Sequence, residues 1–255
     1  MSRKIENLNF LVKPGDREKL TDYTERKAEW FFSRSFDTDG NQFIEWRDFE
    51  VFADIVTEAT GRNPREDTEF VNTILAKRRP LWNELLRTCD MNGDGRISLE
   101  EWKDFWGAAA DFVHQHDSLP ETMKVIAKHY FHSLDVKKDG VISRDAVRRG
   151  FIQAGGSRID ADRLYAHATK RGRQFTESVY VDMFMGMVAS MDEDHPSKYL
   201  LVGFPANQGA SSTTVVTNDG AGSSGSITTS TESSEYQYGP RTTPPNTYRM
   251  DGAYQ

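Results

Sequence analysis

The sequence predicts an all-α protein that folds as four helix–loop–helix units in two packed lobes. Polar twelve-residue segments recur along the chain, beginning at positions 37, 90, 135 and 168. Apolar residues flank each segment at the three- and four-residue spacing of an amphipathic helix. A single unit leaves an apolar face exposed, so we expect the units to pack in pairs. A chain of 255 residues is long enough for two such pairs.

The segment from residue 90 to residue 101 has the most complete ligand pattern. A hard dication such as Ca²⁺ takes about six to eight oxygens at about 2.3–2.6 Å, and alternate positions of a twelve-residue loop can supply them. Gly95 occupies the sixth position, where the turn favours a positive φ. The pattern is that of an EF-hand calcium loop, with the predicted ligands Asp90, Asn92, Asp94, Arg96 (carbonyl), Ser98 and Glu101.

Helices are predicted on both sides of this loop because apolar residues continue at helical spacing. The incoming helix carries Trp82 and Leu85, and the outgoing helix carries Trp102 and Phe105. Both stripes point inward, as a helix–loop–helix unit requires. Pro80 predicts a kink or a break in the incoming helix.

The segment from residue 37 to residue 48 is a second copy of the loop with two departures. Gln42 stands at the sixth position, where a left-handed backbone costs a non-glycine residue roughly 1–2 kcal/mol. An aspartate closes the loop, and its shorter side chain favours the six-fold coordination of Mg²⁺ more than glutamate does. We expect mixed Ca²⁺/Mg²⁺ character, with the ligands Asp37, Asp39, Asn41, Phe43 (carbonyl), Glu45 and Asp48.

The segment from residue 135 to residue 146 keeps only part of the ligand set. Lys137 places a cation where a ligand belongs, and Ala146 offers no oxygen at the closing position. Both changes weaken the binding of a dication. We expect at most a weak metal site, whose remaining ligands are Asp135, Asp139, Val141 (carbonyl) and Ser143.

The segment from residue 168 to residue 179 has no carboxylate at a ligand position. A run of positive charge crosses it at residues 170–173. We interpret it as a metal-free loop that is retained to pair with the third loop.

Short β pairing is expected between the loops of each lobe. Ile44 should face Ile97, and Ile142 should face Phe175, each as a two-residue ladder. Beyond Pro196 a short apolar stretch gives way to Ser, Thr, Gly, Asn and Pro, a composition typical of disorder. The predicted organisation is an N-terminal arm (1–15), a first lobe (16–116), a degenerate second lobe (117–195), an apolar segment that packs on the core (196–204) and a disordered tail (205–255).

Composition restricts the function classes. The formal net charge is −7, from 39 acidic and 32 basic residues, which argues against nucleic-acid binding. The single cysteine, Cys89, excludes an internal disulfide, and no apolar run approaches the ~20 residues of a membrane span. The N-terminus has no apolar signal core, and the six histidines show no catalytic arrangement. We therefore expect a cytoplasmic, non-enzymatic protein without a transmembrane segment.

Several segments of the chain match one known family, at residues 44–50, 100–102 with Trp106, 118–120 and 198–204. Over about residues 16–204 the chain resembles this family, the invertebrate sarcoplasmic calcium-binding proteins and calexcitins. Members of that family typically have an aspartate that closes the first loop and a fourth loop that binds no metal. The resemblance implies two lobes packed face to face, a final apolar segment tucked into the core, and a cytosolic Ca²⁺/Mg²⁺ buffer or signalling protein. The third loop departs from the family pattern, in which it binds metal.

Several functional roles stay open at this point. A buffer changes shape little on binding Ca²⁺, whereas a sensor opens an apolar groove for a protein partner. Abundant Trp and Phe favour a compact buffer, but a methionine-rich helix keeps the sensor open. Another alternative is an adaptor that binds its partner through the tail. A further alternative is a luciferin-binding or photoprotein-like carrier, which needs a closed cavity lined by His, Trp and Tyr. The methionines are Met183, Met185, Met187 and Met191.

Overall fold

The computed structural model describes residues 10–205, so most of the predicted arm (1–9) and the tail from residue 206 lie outside the described residues. The described chain contains eight α-helices that form four consecutive helix–loop–helix units, which confirms the predicted all-α fold. None of these helices combines the length and apolar character that a bilayer span requires. The elements are α1 Asp22–Ser35, β1 Phe43–Ile44, α2 Trp46–Ala59, α3 Thr68–Cys89, β2 Ile97–Ser98, α4 Leu99–His116, α5 Glu121–Leu134, α6 Arg144–Gln153, α7 Arg158–Ala168 and α8 Glu177–Ala189, with 3₁₀ turns at Asp16–Lys19, Lys170–Gly172 and Pro196–Leu200.

A kink or a break was predicted at Pro80, and the break is wrong, because α3 continues through that residue. Proline inside a helix costs about 3 kcal/mol through a lost hydrogen bond and a steric clash. Apolar side chains on both sides of it, Ile74, Trp82 and Leu85, are buried. Each buried side chain of this size contributes about 1.5–3 kcal/mol, so packing offsets the cost of the proline.

In each lobe the two loops pair in the antiparallel direction, but the pairing is longer in the first lobe than in the second. In the first lobe β1 pairs with β2, and Ile44 faces Ile97 as predicted. In the second lobe the predicted two-residue ladder is wrong in length, because Val141 and Thr176 form an isolated bridge. Beside it, the amide of Ile142 donates to the carbonyl of Phe175 at 2.9 Å.

Buried polar contacts join the first lobe to α8 of the second lobe. Trp106 of α4 donates from Nε1 to the carbonyl of Val188 at 3.2 Å. Lys27 of α1 is buried, and its Nζ donates to the carbonyls of Met187 and Ser190, each at 2.7 Å. These carbonyls lie at the negative end of the α8 dipole, which favours the ammonium there. The lobes therefore share one continuous core.

The methionine-rich helix belongs to this core. Met183 and Met187 of α8 are buried, whereas Met191 lies beyond the end of the helix and is exposed. The chain then returns to the first lobe, where Leu201 is buried and the ring of Phe204 packs edge-on against Trp30. Two of the four methionines thus fill core space rather than line an open groove.

The segment before α1 packs against α4, where Asp104 accepts its hydrogen bonds and Gly107 allows close contact. Asp104 Oδ1 accepts from the amides of Gly15 and Arg17 at 3.1 and 2.9 Å. A Cβ atom at Gly107 would lie 2.2 Å from the carbonyl oxygen of Asp16, far inside van der Waals contact. Only glycine allows the backbone of the 3₁₀ turn to approach α4 this closely.

We predict that Gly107→Ala lowers the free energy of unfolding by about 1–3 kcal/mol, because backbone must move to admit the methyl group. Gly150→Ala in α6 is the matched control, since the new Cβ would meet the flexible end of the Leu134 side chain. Alanine also favours the helix by about 1 kcal/mol, so this change should be near neutral. Urea unfolding followed by circular dichroism measures both values, and equal losses would contradict the assignment.

Candidate metal centres

The second loop, residues 90–101, folds around the carboxylate of Asp90. Its Oδ1 accepts hydrogen bonds from the amides of Gly93 and Asp94 at 2.7 and 3.2 Å, and its Oδ2 accepts from the amide of Gly95 at 3.0 Å. Gly95 has a φ of 83°, as expected for the sixth position. Three backbone amides therefore surround this carboxylate and fix the shape of the loop.

Glu101 ties the two ends of the loop together. It is buried, and its Oε1 accepts from the amides of Met91 and Asn92 at 3.1 and 3.3 Å. Its Oε2 accepts from the amide and the hydroxyl of Ser98 at 2.9 and 2.8 Å. Ser98 Oγ in turn accepts from the Glu101 amide and caps α4. One carboxylate thus links the start of the loop to the start of the outgoing helix.

The side chain of Arg96 has a role that the sequence pattern missed. The pattern assigns only its carbonyl as a ligand, but its Nε pairs with Asp94 Oδ2 at 3.1 Å and lowers the pKa of that carboxyl. The guanidinium also lies 4.1 Å from the ring centroid of Phe43 in the neighbouring loop. The opposite charges of Asp94 and Arg96, two positions apart in the sequence, are a signal that could have predicted this ion pair. Both side chains are well exposed, so the pair competes only weakly with a cation.

The first loop, residues 37–48, repeats the same hydrogen-bond network. Asp37 Oδ1 accepts from the amides of Gly40 and Asn41 at 2.9 and 3.0 Å, and Oδ2 accepts from the amide of Gln42 at 3.1 Å. Gln42 has a φ of 69°, so it adopts the left-handed backbone that the sequence predicts to be costly. The network holds the turn despite the missing glycine.

Asp48 closes the first loop as Glu101 closes the second. It is almost fully buried, and its Oδ1 accepts from the amides of Thr38 and Asp39 at 2.7 and 3.3 Å. Its Oδ2 accepts from the amide of Glu45 at 2.7 Å. The shorter side chain therefore reaches the same two ends of the loop, and the predicted ligands at both ends lie around it.

Three carboxylates lie close together in the first loop, and two of them, Asp37 and Asp48, are buried. One carboxylate oxygen from each of Asp37, Asp39 and Asp48 lies within 4.8 Å of the others. Burial raises the pKa of Asp48 to about 6 and raises the pKa of Asp37, in both cases against the opposing effect of amide hydrogen bonds. Desolvated, crowded carboxylates are stabilised by a nearby cation. The residues fit a hard dication, because the predicted ligands all offer oxygen.

The third loop, residues 135–146, is incomplete but keeps one unusual atom. Asp135 Oδ2 accepts from the amide of Gly140 at 3.0 Å, whereas its buried Oδ1 has no hydrogen-bond partner among the described residues. Ala146 is buried at the closing position, and the neighbouring Asp145 points outward, with its side chain mostly exposed. The loop therefore presents one unsatisfied carboxylate oxygen without a closing ligand.

The fourth loop contains its own positive charge. Arg173 donates from Nε to the carbonyl of Ala168 at 2.6 Å and from Nη2 to the carbonyl of His167 at 3.4 Å. These carbonyls end α7, where a cation offsets the helix dipole. The Lys170–Gly172 turn occupies the part of this loop where a complete hand carries its ligands. The arrangement supports the expectation of a metal-free loop, which stays a prediction.

Comparison with known proteins shows which proteins the chain is similar to. A sequence model described as "EF hand" matches residues 83–106, which span the second loop and the helices beside it. Sarcoplasmic calcium-binding protein 1 of Astacus leptodactylus is 25% identical over 185 residues, covering 69% of this chain and 94% of the relative. The beta chain of the same kind of protein from Penaeus sp. is 26% identical over 192 residues, with 69% and 94% covered.

A solved structure supports the fold in the same way. The sarcoplasmic calcium-binding protein from amphioxus aligns over 73% of this chain and 100% of its own, with a TM-score of 0.57 and 20% sequence identity. The structural likeness covers most of the chain, whereas the sequence model covers only the second loop and its flanking helices. These comparisons support an EF-hand fold of the kind found in sarcoplasmic calcium-binding proteins.

Proposed function

We propose that this chain is a calcium-binding protein whose first and second loops each hold one Ca²⁺. The observation that carries the proposal is the matching network in the two loops. In each, the carboxylate at the first position accepts three amides, and a buried carboxylate at the twelfth position links the two ends. The names of the relatives in crustaceans and amphioxus agree with this role.

The ligands in this proposal are the oxygens predicted at alternate loop positions. A bound Ca²⁺ supplies two positive charges that balance the carboxylates gathered in each loop. Asp90 and Glu101 hold the ion in the second loop, and Asp37 and Asp48 hold it in the first. Because Asp48 is one methylene shorter than glutamate, Mg²⁺ competes with Ca²⁺ at the first site.

Within this role we propose a compact cytoplasmic buffer rather than a sensor. We propose no catalytic function. A sensor must open an apolar groove, and the packing described above opposes such a change. Met187 is buried, and both its carbonyl and that of Val188 accept hydrogen bonds from the other lobe. Partner binding through the tail concerns residues outside those described, so the adaptor alternative gains no support from the fold.

The luciferin-carrier alternative also lacks specific support. A cavity of about 280 Å³ lies between the lobes and is lined by Trp30, Tyr130 and Tyr180 among others. No histidine stands among the described residues that line it, whereas this alternative requires one. The proposed function is therefore limited to the binding of divalent cations.

Calorimetric titration of the full chain tests the proposal. We expect two Ca²⁺ sites, of which Mg²⁺ weakens only one. Glu101→Gln and Asp48→Asn should each lower the affinity of one site by at least about tenfold, because each removes a charged ligand. The Mg²⁺-sensitive site should be the one whose Ca²⁺ affinity falls in Asp48→Asn.

The matched controls are Glu100→Gln and Glu50→Gln, which change neighbouring side chains that are substantially exposed and pair with cations. Both controls should keep two sites of unchanged affinity. Full stoichiometry and affinity in Glu101→Gln and Asp48→Asn would overturn the proposal.

A second prediction concerns the third loop, where Asp135 Oδ1 is buried and unpartnered. The double variant Lys137→Asp with Ala146→Glu restores the ligand types that the pattern demands. We expect it to gain a third Ca²⁺ site in the same titration. Lys138→Asp with Ala166→Glu adds the same charge outside the ligand positions and should stay at two sites. A third site in both variants, or in neither, would contradict this assignment.

A further inference from the structure

The third and fourth loops lie side by side at one end of the second lobe, because Val141 and Thr176 form an antiparallel bridge between them. The parts of the loops that precede this bridge are residues 136–140 and 169–174. All of these residues are exposed except Thr169, which is half-buried. They form one accessible surface, which we call the basic tip.

The basic tip carries an excess of positive charge in a chain whose formal net charge is −7. Asp139 is its one carboxylate, and its cations are Lys137, Lys138, Lys170, Arg171 and Arg173. The guanidinium of Arg173 is already bonded to the last carbonyls of α7. The side chains of the other four cations form no ion pair with a carboxylate of residues 10–205. Their charge is therefore directed to the solvent.

Two of these cations occupy positions where glycine would be less strained. Lys138 and Arg171 stand at the fourth position of their loops, with φ values of 54° and 65°. The equivalent residues of the first lobe are Gly40 and Gly93, with φ values of 76° and 75°. A left-handed backbone is costly for a residue that has a Cβ atom. Strained residues of this kind concentrate at functional positions, which indicates a function for these two charges.

An anionic lipid bilayer fits the basic tip better than a single-stranded nucleic acid does. Each lysine or arginine near an anionic bilayer strengthens binding by about fivefold, and no further contact is needed. Val136, which precedes the two lysines of the third loop, is 38% exposed and suits the boundary between head groups and acyl chains. The basic tip contains no aromatic side chain on which an unpaired base would stack.

We propose that the basic tip docks this chain on an anionic phospholipid bilayer. Lys137, Lys138, Lys170 and Arg171 contact the anionic head groups, and Val136 lies at the level of those groups. The surface shares no residue with the proposed Ca²⁺ ligands of the first and second loops. Docking therefore holds the first lobe near a membrane and leaves its metal sites unused by the lipid.

The test is sedimentation of the full chain with vesicles of phosphatidylcholine, alone or mixed with phosphatidylserine. Ca²⁺ is chelated, so that it cannot bridge carboxylates of the protein to the lipid. The chain should sediment with the mixed vesicles only, and added salt should weaken this binding because it screens exposed charges.

Two double variants complete the test. Lys138→Gly with Arg171→Gly removes two charges and should weaken binding to the mixed vesicles by about 25-fold. Its free energy of unfolding should stay equal or rise, because glycine suits the left-handed backbone, so a folding defect cannot explain the loss. Arg149→Gln with Arg158→Gln is the matched control, which removes the same charge from two exposed arginines. Arg149 lies near the end of α6 and Arg158 begins α7, both remote from the loops, so binding should change by less than about twofold.

Three results would overturn the proposal. The first is a failure of the unmodified chain to sediment with the mixed vesicles. The second is an equal loss of binding in the two double variants. The third is a preference for another anion, seen as release from the vesicles by inorganic phosphate at the concentration of the anionic lipid, or as tighter binding to single-stranded RNA. Each result bears on the basic tip alone, since Ca²⁺ stoichiometry is measured separately.

Discussion

The buried carboxylates that close the first two loops are the constraint on which the amino-terminal lobe depends. Asp48 and Glu101 each accept amides from the start of their loop and from the residue that precedes the next helix. Desolvation of a carboxylate is costly unless hydrogen bonds or a cation compensate it. A buried carboxylate, hydrogen-bonded at both ends of the loop, therefore fixes the start of the loop relative to the start of the outgoing helix.

The two lobes differ in how the charges of their carboxylates are balanced. In the first lobe, carboxylates lie close together in the loops, and the proposed Ca²⁺ supplies the main balancing charge. In the second lobe the chain supplies cations of its own. Arg173 binds the last carbonyls of α7, and Arg148 pairs with Asp162 across α6 and α7 at 2.7 Å. Its hydrogen bonds to Arg148 and Arg144 hold the pKa of Asp162 well below its usual range. Ion pairs and hydrogen bonds between residues of the second lobe thus join α6 to α7 and α7 to the fourth loop.

Local sequence rules predicted the four helix–loop–helix units and the pairing of Ile44 with Ile97, because both depend on short-range patterns. The proposed ligand sets follow from the same spacing, and they stay predictions about the bound ion. Contacts between distant segments were not predictable in this way. Neither the capture of the segment before α1 by Asp104 nor the passage of α3 through Pro80 has a local signature.

The amide protons at the sixth loop positions test the central claim most directly. The amides of Gln42 and Gly95 donate to Asp37 and Asp90, the first ligand of each loop, so cation binding must polarise both hydrogen bonds. In a nitrogen–proton correlation spectrum, Ca²⁺ addition should move both signals strongly downfield. The signal of Arg173, at the same position of the fourth loop, should stay in place. If Gln42 and Gly95 keep their shifts at saturating Ca²⁺, the two loops do not hold the ion as described.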